Sequence, residues 1–187
     1  MDDKTKVLYR EVLERYVKII WTHKIHLCQA DIYRNNAECL NNKIIILSVL
    51  VSCSAITNIL HWLPDSFIVP TLAILSLILT YYTSKAKSEN FVGKASENER
   101  FASLMHNLRN KYAGFLSDIK SGSVSCDQII TIRRKLESDE DTIYSGIVPY
   151  TSPKAVEAAE KALKFKQDST TTDEEIKLLV SNNLQIE

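Results

Sequence analysis

Residues 44–84 carry a single formal charge, Asp65, and it stands next to Pro64. On either side of Leu63-Pro64-Asp65-Ser66 lie 20 uncharged positions (44–63) and 19 more (66–84). At about 1.5 Å of rise per residue, each stretch matches the ~30 Å of hydrocarbon in a bilayer. Pro and Asp suit a tight helix–helix turn, so two spans, 44–63 and 67–84, are expected to form an antiparallel hairpin. Pro70 falls in the first turn of the second span, where a missing N–H costs little. The competing reading is a buried hairpin in a soluble core. It fails on supply, because the remaining segments are amphipathic and too few to wrap two helices that are apolar all round.

The chain has 187 residues and a formal net charge of zero, yet that charge is unevenly spread. Residues 1–43 carry eight basic and six acidic groups, residues 85–120 seven and four, and residues 121–187 eight and twelve. Basic residues therefore bracket the apolar block: Arg34 and Lys43 before it, Lys85, Lys87 and Lys94 after it, none in its turn. Such a bias places both flanks, and so both termini, on the cytoplasmic side. His61 and Trp62 at one boundary, Tyr81 and Tyr82 at the other, are amphipathic groups suited to headgroup depth. The first 40 residues have no apolar signal region, so the block is expected to stay in the mature chain. Cys28, Cys39, Cys53 and Cys126 are scattered, which suggests no disulfide framework. A balanced charge without a basic face argues against direct nucleic-acid binding.

Polar residues within the spans fall in strips. Ser54, Thr57, Asn58 and His61 share one side of the first span, with Ser48, Ser52 and Ala55 roughly opposite; Ala73, Ser76, Thr80 and Ser84 repeat the device in the second. Small and hydroxyl residues let helices pack closely. Two strips on one helix exceed what a single hairpin needs, so one strip is expected within the hairpin and the other against a neighbouring subunit or a water-filled lumen. Ser48, Ser52, Ser54, Thr57, Asn58, His61, Ser76 and Thr80 are accordingly the candidates for pore lining or subunit packing. With no Asp, Glu, Lys or Arg inside either span, a proton relay lacks its usual groups.

Long helices flank the block. Leu8, Val12, Tyr16, Ile19, His23, His26, Ala30, Tyr33, Ala37 and Leu40 recur at steps of three and four, as do Phe91, Ala95, Asn98, Ala102, Met105, Arg109, Tyr112, Leu116 and Ile119. The spacing predicts two seams that meet as an antiparallel coiled pair continuing the hairpin. His23, His26, Asn98, Arg109 and Tyr112 are polar groups on those seams and are the candidates for responding to a ligand or partner. Ser121-Gly122-Ser123 ends the second helix, Ser125 with Gln128 opens a short one to about Ser138, and Ser152-Pro153 opens another to about Gln167. A polar linker and a last helix from Thr172 complete an all-α chain: a helix at 1–43, the hairpin at 44–84, helices at 85–150 and a helical tail at 151–187.

No glycine-rich phosphate loop, Cys-x-x-Cys or GxSxG occurs, so the chain is expected not to be an enzyme and to need no cofactor. His23 and His26 stand one turn apart and could share a metal, but no third ligand accompanies them, and packed seam histidines are the simpler reading. Arg109 with Lys111, and Arg133-Arg134-Lys135, could receive a phosphate-bearing ligand, against the plainer reading of solvated charged faces.

The segments "WTHKIHLCQADIYRNNAECLNNKIIILSVLVS", "HWLPDSF", "SENFVGKASENERFASLMHNLRNKYAGFL" and "DTIYSGIVPYTSPKAVEAAEKAL" together resemble the SLATT family of two-transmembrane effector domains found with bacterial nucleotide-signalling modules. The resemblance covers roughly Tyr16 to Tyr150. It implies an inner-membrane effector of an anti-phage system that oligomerises and permeabilises the membrane when triggered. The implied partners are an operon-encoded nucleotide cyclase, a nucleotide sensor or a reverse transcriptase, beside the lipid bilayer and further copies of the chain. Two spans cannot enclose a lumen alone, so any pore needs several subunits. The alternative is a non-conducting membrane-anchored scaffold for a cytoplasmic partner.

Overall fold

A computed structural model describes residues 2–59 and 64–164. About nine-tenths of them are helical and none forms a strand. Five helices follow in order: α1 Asp3–Ile59, α2 Asp65–Glu89, α3 Phe91–Ser121, α4 Cys126–Tyr144 and α5 Pro153–Lys164. The turn at 60–63, with His61 and Trp62, lies outside the described residues, as do the end of the tail helix expected to reach Gln167 and the helix expected from Thr172.

The N-terminal helix and the first span are one helix, α1, which runs through position 43 without interruption. The second span extends beyond Ser84 to Glu89, because Lys85, Ala86 and Lys87 are good helix formers. It stops at Asn90, whose backbone is left-handed (φ 45°, ψ 48°) and whose N–H caps Ala86 O at 3.3 Å. Asn tolerates that conformation better than most residues. The Asn90 Oδ1 accepts from Gly93 N–H at 3.3 Å, and a Cβ on Gly93 would come within 2.4 Å of Asn90 Nδ2, so glycine is what lets the amide sit there. α3 begins at the next residue.

The chain forms two units. The first comprises the described residues up to Ala30 and from Ser96 on; the second is Asp31–Ala95. In the first, Leu8, Val12, Tyr16 and Ile19 of α1 and Ala102, Met105, Tyr112, Leu116 and Ile119 of α3 are buried, as their spacing predicts. α4 and α5 complete this unit. α4 starts with a capping box, Ser125 Oγ accepting from Gln128 N–H and Gln128 Oε1 accepting from Ser125 N–H. It continues a turn and a half beyond Ser138, to Tyr144. Tertiary ion pairs hold this acidic stretch helical: Arg15 reaches Glu137 and Glu140, both at 3.2 Å, and Lys111 reaches Asp139 at 2.7 Å. α5 is fixed at its first turn, where the buried Gln29 Oε1 accepts from both Ser152 N–H and Ser152 Oγ at 2.7 Å. Ala155 and Ala159 are fully buried, so α5 lies close against its neighbours.

In the second unit α1 and α2 run antiparallel: Lys43 Nζ lies over the Tyr82 ring at 5.7 Å, Ser54 and Thr57 share a groove with Phe67 and Thr71, and Tyr33 stacks on Phe91 at the start of α3. Only 6% of the apolar window in each helix is buried. A core helix of a soluble protein would be mostly covered; here Ile45, Ile46, Val49, Ile56, Ile74 and Leu77 are exposed.

Candidate functional site

Two regions hold the residues singled out from the sequence. In the hairpin, the α1 positions half-buried against α2 are Ile44, Leu47, Ser48, Val51, Ser54, Ala55 and Thr57. The seam therefore runs between the two polar strips and takes its flanks from both, leaving Ser52 exposed. On α2 it follows Ile68, Leu72, Leu75, Leu79, Tyr82 and Ala86, and of the predicted strip only Ser76 touches it; Ala73, Thr80 and Ser84 point away. Branched apolar side chains bury more area than Ala or Thr, so they win the contact with α1. The side chain of Asn58 and all of His61 lie outside the described residues.

Five hydroxyls on these faces bond back to their own helix. Ser48 donates to Ile44 O at 2.8 Å, Ser52 to Ser48 O at 2.9 Å, Ser54 to Leu50 O at 2.8 Å, Thr57 to Cys53 O at 2.8 Å and Thr80 to Ser76 O at 2.8 Å. The donors are thus satisfied without water, which lets these faces meet lipid or another helix at little cost.

The second region is the polar part of the α1–α3 seam in the first unit. His26 is 4% exposed and its Nδ1 lies 2.9 Å from Asn98 Oδ1, itself on a residue 1% exposed. An amide oxygen only accepts, so His26 Nδ1 carries the proton. The His26 ring also packs on Phe101 at 4.4 Å, and Phe101 meets Tyr144 edge-on. Burial lowers the His26 pKa, partly offset by the Asn98 bond.

His23, one turn earlier, faces a different partner: His106, with ring centroids 5.5 Å apart. Burial, then the nearby Arg109, His106 and Lys24, push the His23 pKa down to about 4. The two histidines are thus divided between separate partners, and no cluster of three or more metal-ligating groups exists among the described residues. Tyr112 is fully buried; burial first, then the neighbouring Glu140, push its phenol well above the ordinary range. It packs near the α4 clamp, in which Arg133 pairs with Glu11 and, at 3.5 Å, with Glu137. Arg133 and Lys111 are therefore engaged by carboxylates.

His106 and Gln29 were not visible in the sequence as site residues, since both lie off the seam phase. Elsewhere in the first unit, Glu97, Arg100, Phe101 and Leu104 of α3 and Thr142, Ile143 and Pro149 line an open groove of about 480 Å³. A family model described as SMODS and SLOG-associating 2TM effector domain family 4 matches residues 8–175. No curated protein and no solved structure gave a match.

Proposed function

The chain belongs to the SMODS and SLOG-associating two-transmembrane effector domains, family 4, and on that premise we propose that it is the membrane-acting component of a bacterial anti-phage system, assembling into a gated pore or membrane-disrupting oligomer when a nucleotide-signalling partner is engaged. The observation that carries this reading is the hairpin itself: two helices long and apolar enough to cross a bilayer, with 6% of each apolar window covered within the chain. Lipid covers such a surface, and further copies can share it. One hairpin cannot enclose a lumen, so conduction requires several. Ser52, Thr80 and Ser84, exposed on a single hairpin, offer small faces for that assembly. Ser48, Ser54, Thr57 and Ser76, partly buried along the hairpin seam, together with Asn58 and His61 would line or shape a lumen. The His26–Asn98 pair, with His23, Arg109 and Tyr112, is where the first unit would register its trigger, because a buried polar pair has two distinct packings available only if its partner moves.

The test is dye and ion flux from liposomes holding the purified protein, with and without candidate cyclic oligonucleotides, beside its mass in detergent. Flux that rises with assembly supports the pore. Intact vesicles around a stable assembly under every trigger would instead favour a non-conducting membrane-anchored scaffold for a cytoplasmic partner.

A further inference from the structure

α1 carries no carboxylate between Glu14 and Asp31, and α3 none between Glu99 and Asp118. Across those stretches the charged residues are Arg15, Lys18 and Lys24 on one helix and Arg100, Arg109 and Lys111 on the other. α4 answers some of them: Glu137 and Glu140 hold Arg15, and Asp139 holds Lys111. Lys24 and Arg109 receive no such partner among the described residues, although both are partly buried. Both act on His23, whose ring lies 5.5 Å from that of His106, and the two histidines are also partly buried. His106 Nε2 is 3.2 Å from Asn110 Nδ2, an amide nitrogen that only donates, so the neutral His106 keeps its proton on Nδ1.

We propose that His23, Lys24, His106 and Arg109 form a binding site for a phosphate group, whose oxygens accept from the guanidinium, the ammonium and the imidazole N–H groups. A solvated basic face is the ordinary explanation for clustered Lys and Arg, but such faces are interleaved with carboxylates and keep their charges in water. Here two permanent cations and two imidazoles sit partly covered with no carboxylate partner among the described residues, an arrangement that an anion stabilises. Every charge that acts on His23 is positive, Arg109 and His106 from α3 and Lys24 from its own helix, and none is a carboxylate. A bound phosphate reverses that field. Anion and proton then bind cooperatively, so the anion raises the His23 pKa from about 4 and its affinity rises as pH falls toward that value. The site deepens the proposed function, resting on it only for the idea that the anion is a nucleotide signal.

The experiment uses the full chain in nanodiscs of zwitterionic lipid, with histidine ring resonances followed through a pH titration with and without inorganic pyrophosphate. A parallel arm replaces pyrophosphate by anionic phosphatidylglycerol in the disc. Pyrophosphate is expected to raise the His23 pKa by about one unit or more and to perturb the ring resonances of His106, while those of the buried His26 are unmoved. Lys24→Gln with Arg109→Gln is expected to weaken pyrophosphate binding about tenfold or more, as loss of charge-assisted bonds requires. A response confined to the anionic lipid supports the site and assigns its phosphate to a headgroup. A His23 titration indifferent to both arms, or a double variant that binds pyrophosphate as the parent does, overturns the proposal. Flux is not the readout, so failure of the pore and failure of the site are separate outcomes.

Discussion

Asn98 accepts the proton that His26 holds inside the first unit, and neither residue has water as an alternative. Asn98→Ala leaves a buried ring N–H without an acceptor, and thermal or chemical denaturation should register a loss of about 1–3 kcal/mol. Asn98→Asp tests the same contact in the other direction, since a carboxylate there would pull the His26 pKa up. His23 and His26 both titrate below the ordinary histidine value of 6.5, His23 at about 4. The unfolded chain therefore binds more protons than the folded one below about pH 6.5. Stability is complete above that value and is lost progressively as pH falls toward about 4, so the melting temperature of the parent should drop across this window. Replacing both histidines by Gln should flatten the drop; an unchanged profile would place its origin in other groups.

Helix ends decide where each element starts and stops. At the α2–α3 junction Asn90 holds a left-handed backbone and Gly93 makes room for its amide. Asn90→Gly keeps the conformation accessible, whereas Asn90→Ala strains it by about 1 kcal/mol. Gly93→Ala forces the Asn90 amide away from Gly93 N–H. Hydrogen exchange at residues 88–94 should accelerate in the two alanine variants and change little in Asn90→Gly. The break was illegible in the sequence because the three-and-four spacing continues through it; Asn followed three residues later by Gly was the signal available. The end of α4 escaped for a different reason. Its last turns are acidic and gain their stability from Arg15 and Lys111, which are far away in sequence.

At the scale of the molecule, the apolar surface of the two spans governs behaviour. The protein should sediment with membranes and resist extraction at high salt or alkaline pH, as an integral hairpin does and a peripheral protein does not. Ser52→Leu and Thr80→Leu alter faces that point away from the partner helix within one hairpin. They are expected to change the mass of the assembly in detergent while leaving the helical circular dichroism intact. An unchanged mass in both variants would remove these faces from subunit contact.

The membrane hairpin, the all-α class, the α1–α3 seam and the placing of His26 and Asn98 on it follow from periodicity and from the span of uncharged residues, whereas the bond between those two side chains came only with the structure. Periodicity and span are one-dimensional patterns, set by the 3.6-residue turn and the thickness of hydrocarbon. Only the tertiary structure decided that the hairpin seam runs between the polar strips, because area competition with Leu72, Leu75 and Leu79 is settled across two helices. It also decided that His23 turns to His106, that Gln29 seats α5, and that α4 answers Arg15 and Lys111 but leaves Lys24 and Arg109 unanswered. Each depends on which side chains from distant segments meet, and that information is absent from the spacing along any one helix.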